Sequence, residues 1–409
     1  MTSRERVLKA INFQEPDRVP LELGGNLQSG IMAHALDRLR KYLGLEYRPV
    51  KVYELFQMLG EVEMDVVERL GIDILPVEPL VQFFGIRRKN YKPWNLWDGT
   101  AVLVPGQFDV EMDAEGGWLI HTEGRMDKPV EGRMPKNGYY FDMYSMLYER
   151  ADFTPPPFEE VRKENHLSLQ ELEFLAARAE KLRKDTDKAL LLGAWGKTGL
   201  PPVGSIPDFL FLLAADKAYV KDLFEVRTEV ALQNLPLLKQ YLGDSIDVIG
   251  FDGYDFGSQN GEIFSPDLCS ELFLPNMKVQ SEWVHRNTPW KTFYHSCGSI
   301  TRIIPMLIEG GMDILNPVQT SAKGMDPAWL KKEFGKRIVF WGGGVDTQKT
   351  LPFGSTEEVV REVTERVRIF APGGGFVFNA VHNIQQGTPP ENIVAAYETA
   401  RTVGTYPIR

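Results

Sequence analysis

The stretch WKTFYHSCGSITRII, residues 290–304, decides the fold. An apolar run over 290–293 ends in His295, Ser296 and Cys297, passes a glycine at Gly298, and continues into a helix-like segment over 300–308. A strand that feeds a helix through a short polar turn is one βα unit, and the same pattern recurs along the chain. Eight such runs are counted: residues 19–24, 72–77, 190–194, 246–251, 291–295, 313–317, 338–341 and 376–379. Most are rich in Val, Ile, Leu or Phe without strict alternation, as strands buried on both faces require. The pattern predicts an α/β protein, a (β/α)8 TIM barrel, and 409 residues suit one such barrel with insertions.

Helices between the runs are legible. Residues 169–184 place Leu172, Leu175, Ala176, Ala179 and Leu182 on one stripe. Ser355 with Glu358 has the spacing of a capping box for a helix reaching Phe370. Residues 267–285 read the same way, with Pro275 expected to kink or divide the helix. From about 91 to 140 the rhythm breaks into Gly, Asp, Trp and Tyr with turn signals at Asp98-Gly99 and Gly116-Gly117. A β-hairpin-rich insertion at about 91–150, beside the barrel mouth, is therefore expected within one domain covering 1–409. Its Trp94, Trp97, Trp118, Tyr139, Tyr140 and Phe141 suit either the wall of an apolar pocket or a small core of its own.

Charge and cysteine content narrow the function. A formal net charge of -10 repels phosphate backbones and anionic headgroups, which excludes nucleic acid and membrane as expected partners. The N-terminus has no apolar signal core and no stretch approaches the roughly 18 apolar residues of a membrane span, so a cytoplasmic protein is expected. Two cysteines, Cys269 and Cys297, cannot make a disulfide framework, and Cys297 calls for another explanation.

His295 and Cys297 stand at i and i+2 of an extended segment, so their side chains point the same way. They also stand at the C-terminal end of a barrel strand, where barrel active sites lie. One imidazole and one thiolate are half of a zinc site, although a core cysteine beside a backbone-bonded histidine has the same sequence. His382, after the run 376–379, brings a third ligand to the same rim. Three protein ligands with one open position are the arrangement of a catalytic zinc. His34, His121, His166 and His285 lie in poorer contexts and read as structural or solvated. Other polar residues at strand ends are Asp252 and Tyr254 in the loop FDGYDFGSQNG, Asn316, Gln319 and Asp346. Of these Asp252 is the preferred catalytic carboxylate, with Tyr254 beside it. Gly342–Gly344 and Gly373–Gly375 fit neither a dinucleotide fingerprint nor a P-loop and read as tight turns.

Several of these runs carry a family resemblance. HSCGSITRIIPMLIEGGMDILNPVQ, FWGGGVDTQ, GTPPENIVAAYETA and the opening RERVLKAINFQEPDRVP resemble the uroporphyrinogen decarboxylase superfamily over nearly the whole chain. That superfamily divides into porphyrinogen decarboxylases and zinc-dependent methyltransferases that exchange methyl groups with corrinoid proteins. The decarboxylases bind substrate carboxylates through an arginine-rich stretch near the N-terminus; the matching residues here, Glu22 to Gln28, include no arginine. The methyltransferases acting on coenzyme M bind zinc through a His-x-Cys pair and a later Cys before a Thr-Pro-x-Glu-Asn helix start. His295 and Cys297 match the pair, and His382, six residues before Thr388, stands in place of the later cysteine.

The resemblance thus implies a methyltransferase with Zn2+ on His295, Cys297 and His382. Glu22, Asn26, Asn316, Gln319 and Asp346, polar residues at or near strand ends, are expected around a small methyl donor, for instance a methoxylated aromatic. A corrinoid (cobalamin) carried by a partner protein and a homodimeric state are implied too. One thiolate instead of two leaves the metal a stronger Lewis acid, which counts against coenzyme M. The alternatives are a decarboxylase-like lyase and a non-catalytic corrinoid-binding module.

Overall fold

The computed structural model describes residues 1–144, 153–193, 203–251 and 254–408. Seven parallel strands follow one another in chain order: Ile74–Val77, Ala189–Leu192, Val248–Phe251, Lys291–His295, Ile314–Asn316, Val339–Trp341 and Phe376–Val377. Each pairs with its sequence neighbour, as right-handed βα crossovers dictate. The segment at Leu21 fills the remaining gap. Leu21 bridges Phe378 in parallel, Glu22 donates its backbone N–H to Phe378 at 2.8 Å, and Asp73 donates its own to the Leu21 carbonyl at 2.8 Å. All eight expected runs therefore take their places in a TIM-barrel-like ring.

Alternate strand residues face opposite ways, and the packing shows it. Ile74, Ala189, Leu191, Val248, Phe293, Ile314, Val339, Trp341 and Val377 form one buried cluster inside the ring. Val7 and Ile11 of the helix Ser3–Ile11 complete this cluster. Their strand neighbours Leu75, Leu190, Ile249, Leu315 and Phe340 belong to the larger core shared with the outer helices.

The anticipated helices form with the anticipated ends. Leu169–Asp185 buries Leu172, Leu175 and Ala179. Thr356–Phe370 starts from a capping box between Ser355 and Glu358. The segment 267–285 is divided as Pro275 requires, into Pro266–Leu272 and Leu274–Asn287. Among the described residues no helix is long and apolar enough to cross a membrane.

Residues 92–143 fold into short strands, and Val50–Glu54 with Leu59–Gly60 join them. One four-stranded sheet runs Leu59–Gly60, Val50–Glu54, Ala101–Val104, Lys92–Asn95; the other is an antiparallel meander from Val110–Met112 to Asp142–Met143. Val50–Glu54 is not among the eight sequence runs. It pairs in parallel with a strand some fifty residues later, a contact no local pattern announces. The tryptophans pack on one another, Trp97 stacking on Trp118 at 4.2 Å and Trp94 edge-on to it at 5.8 Å, and they are continuous with the main core.

Barrel closure rests on Asp73. Its carboxylate is fully buried, meets Arg6 and Arg18 at 2.7 Å each, and accepts the Leu21 backbone N–H at 2.9 Å. Removing one side of a buried, hydrogen-bonded ion network typically costs about 3–5 kcal/mol because the other charges stay behind. Asp73→Ala is expected to lose that much in urea unfolding. A loss below about 1 kcal/mol, the level of an exposed ion pair, would show that the closure does not depend on it.

Candidate metal centre

His295 is the last residue of its strand and lies in register with Asn316 of the next. Its Nδ1 meets the Asn316 Oδ1 at 2.8 Å, while the Asn316 Nδ2 donates to the Trp341 carbonyl at 2.9 Å. The second bond fixes which amide atom faces the imidazole, so His295 donates from Nδ1 and keeps the Nε2 lone pair free. An outer hydrogen bond that sets the tautomer is what metal-binding histidines use. The free Nε2 lies 3.4 Å from the Cys297 Sγ.

Cys297 is set by its backbone. Its N–H donates to the Asp255 Oδ1 at 2.8 Å, and the next N–H, of Gly298, donates to the Gln319 Oε1 at 2.8 Å. Gly298 has φ of 90°, and a Cβ there would lie 2.2 Å from the Gly257 carbonyl carbon. Only glycine lets the two loops touch.

His382 arrives on a loop tied on both flanks. Val381 donates to the Val345 carbonyl at 3.0 Å, and Asn383 accepts from the Gly30 N–H and donates to the Leu27 carbonyl at 2.8 Å. The His295 and His382 rings stand 5.7 Å apart, near perpendicular. One ligand atom from each of His295, Cys297 and His382 lies within 4.8 Å of the other two.

This set fits zinc. Nitrogen at about 2.0 Å and sulfur at about 2.3 Å from a tetrahedral centre stand about 3.5 Å apart, and the Nε2–Sγ separation here is 3.4 Å. Burial sets the protonation preferences of two of the three side chains. Burial pushes the Cys297 thiol up, and the Asp255 carboxylate adds to it. Burial holds His382 down, to about 4, with His295 adding to the effect and Asp255 opposing it. A divalent ion reverses the thiol's preference and suits a neutral imidazole.

The structure joins some of the other sequence candidates to this centre. Asn316 orients His295, and Gln319 supports Gly298. Glu22 is fully buried, accepts from Gly25 N–H, from Ser29 Oγ at 2.8 Å and from Trp341 Nε1 at 3.1 Å, and so shares Trp341 with Asn316. Asn26 is buried beside it, its oxygen held by the Gln28 N–H at 2.7 Å. Tyr254 sits in an aromatic cluster with Phe209, Phe256, Phe264 and Phe273, and burial with Asp255 nearby raises its phenol to about 12. Asp346 turns back on its own loop, accepting from the Gln348 and Lys349 N–H groups at 2.6 and 3.0 Å. Asp252 lies outside the described residues.

Two residues were not singled out by sequence. Among the described residues Asp255 brings a carboxylate to the centre, 3.8 Å from the His295 Nε2. The loop was flagged, but spacing alone does not say which of its acids turns inward. Asn379 ends the last barrel strand run, and its buried amide has no hydrogen-bond partner among the described residues. A Cβ on Gly342 would lie 3.0 Å from its oxygen and 3.6 Å from the Asn316 amide nitrogen, so the two amides are neighbours at the mouth.

The molecule is thus a TIM-barrel-like protein with a His-Cys-His cluster at the C-terminal rim of its strands. Residues 205–403 match the family described as Uroporphyrinogen decarboxylase (URO-D), and this stretch holds the motifs around His295, Phe340 and Thr388 that carry the resemblance. The superfamily resemblance is borne out there. A curated uroporphyrinogen decarboxylase of Hordeum vulgare is 26% identical over 177 residues, 41% of this chain and 50% of the relative, so the chain spans about half the length of the curated relative it matches. A solved structure, a methyltransferase from Methanosarcina mazei, superposes with a TM-score of 0.55 over 98% of both chains at 15% identity, a likeness of fold.

Burial raises the Glu22 carboxyl from 4.5 to about 7 against the opposing hydrogen bonds of Ser29, Gly25 and Trp341. Between those values the folded state holds a proton that the unfolded state has released. Folding is therefore favoured below about pH 4.5, and this contribution is lost as pH rises through 7, by about 3 kcal/mol for a shift of this size. In urea unfolding from pH 5 to 8, Glu22→Gln should show a clearly shallower decline than wild type. Parallel curves would show that Glu22 titrates alike in both states.

Proposed function

We propose that the protein is a zinc-dependent methyltransferase that moves a methyl group between a small methyl donor, such as a methoxylated aromatic, and a corrinoid (cobalamin) held by a separate protein. The observation that carries this reading is the convergence of His295, Cys297 and His382 within 4.8 Å at the barrel mouth. The superfamily match and the fold shared with a protein named a methyltransferase support it.

His295, Cys297 and His382 would hold the Zn2+, which would supply Lewis acidity toward the oxygen that carries the methyl. The chain's own groups supply the rest. His295 offers Nε2 because Asn316 occupies its other nitrogen, and Asp255 holds the Cys297 backbone so that the sulfur faces the histidines. Asp252 and Tyr254 are proposed for acid–base and positioning roles, and Glu22, Asn26, Asn316, Gln319 and Asp346 for the surroundings of the donor. A single barrel domain with an insertion at about 91–150, a homodimer and a cytoplasmic location belong to the same proposal.

The family model and the barley relative favour a lyase as the second reading. Against it, Glu22 and Asn26 occupy the place of the substrate-binding arginines and are buried.

Metal analysis tests the centre. Wild type should carry about one zinc per chain, and Cys297→Ala and His382→Ala should lose most of it. Asn316→Ala should bind zinc about 10–100-fold more weakly, as loss of an outer partner does. Full zinc retention in Cys297→Ala would sink the assignment. For activity, the enzyme is mixed with reduced corrinoid protein and methoxylated aromatics, and methylcobalamin is followed by absorbance. Decarboxylation of uroporphyrinogen with no methyl transfer would establish the lyase instead.

A further inference from the structure

A cavity of about 560 Å³ lies between the Ile74–Val77 strand, the Val50–Glu54 strand and the Leu169–Asp185 helix. None of its lining residues belongs to the His-Cys-His cluster. Its size is that of a small-molecule site. Leu75, Phe174 and Leu182 give it apolar walls, and charged groups stand among them.

Most of these charges neutralise one another. Arg48 meets Glu63 at 2.6 Å and Asp65 at 2.8 Å, and Lys51 meets Glu63 at 3.3 Å and Glu61 at 3.7 Å. Three groups are left: Glu78, Arg88 and Arg178. The side chains of Glu78 and Arg88 are 2% and 7% exposed, and they approach only to 3.7 Å. Neither Glu78 oxygen has a hydrogen-bond partner among the described residues, nor has the Arg88 Nη2 or the Arg178 Nε. Arg88 is held by its other nitrogens, Nε on the Tyr53 carbonyl at 2.8 Å and Nη1 on the Pro79 carbonyl, so its spare N–H groups have a fixed direction. Arg178 reaches its nearest acid, Glu61, only at 4.0 Å.

Buried guanidinium donors without acceptors are rare, because each forfeits the water it has lost. Over the whole lining four cations face four acids, so the preference for an anion is local: Arg88 and Arg178 present buried N–H donors without acceptors, and burial pushes the Glu78 carboxyl up, toward its neutral form. A planar carboxylate is the acceptor that guanidinium donors fit best, and the apolar walls call for an organic body behind it. We propose that this cavity binds a small organic monocarboxylate, its carboxylate on Arg88 and Arg178 beside Glu78 and its apolar part against Leu75, Phe174 and Leu182. The site does not depend on the methyl-transfer reading.

Titration calorimetry on the full-length, zinc-loaded protein tests it with benzoate as probe. Benzoate should bind, and its neutral isostere benzamide should bind at least about tenfold more weakly, as loss of a charge-assisted bond implies. Arg178→Gln, on a partly exposed helix position, should weaken benzoate about as much with zinc content and Tm unchanged. The proposal is overturned if wild type shows no benzoate binding at millimolar concentration, or if benzamide binds as well. It is equally overturned if inorganic phosphate binds more tightly than benzoate, or if removing zinc abolishes benzoate binding, which would place the probe at the metal. The benzamide comparison needs no variant, so the outcome stands whatever Arg178→Gln does to folding.

Discussion

The barrel mouth depends on a ring that closes at Asp73. The strand at Leu21 is too short for a ladder of its own, and the Asp73 carboxylate acts as an additional acceptor for it while neutralising Arg6 and Arg18. This one buried acid ties the N-terminal helix, the first strand and the second together. The last strand can then dock on the far side of Leu21 and carry His382 to the rim. Closure is what turns eight separate turns into a single mouth.

Around that mouth the polar groups form a connected order. His295 leans on Asn316, Asn316 on the Trp341 carbonyl, and the Trp341 indole on Glu22. Three successive strands and the first are thereby linked through side chains as well as ladders, and each bond fixes the rotamer of the next. The buried acids of this region, Glu22, Glu54 and Glu78, are all shifted upward by burial, which keeps the interior of an acidic protein from filling with uncompensated negative charge.

Much of this was written in the chain. Strands buried on both faces betray themselves by composition, so all eight runs were found, and a capping box and a proline set helix boundaries at Ser355 and Pro275. The His-Cys-His cluster was legible because His295 and Cys297 stand two apart where one barrel strand ends, and His382 follows the end of another. What sequence withheld was non-local or rotational. Val50–Glu54 pairs with a strand in the insertion, and nothing near it says so. Among the described residues Asp255 meets the Cys297 backbone, and spacing along the loop does not announce that contact. Arg88 and Arg178 are ordinary surface-type residues in sequence; the burial of one nitrogen of each without an acceptor makes them distinctive.

Gly298 and Gly257 meet backbone to backbone, with no room for even one carbon between them. The position of the Cys297 sulfur is therefore governed by an excluded volume, a place where matter is forbidden, more than by any bond that holds it. Such a constraint has no intermediate settings: a side chain either is absent or forces the loops apart. The donor at position 382 rides on a different loop, with its own anchors, and can change its chemical identity without disturbing this contact. One half of the centre is thus open to chemical variation while the other is locked in shape, which gives the fold a way to retune the cluster without rebuilding its mouth.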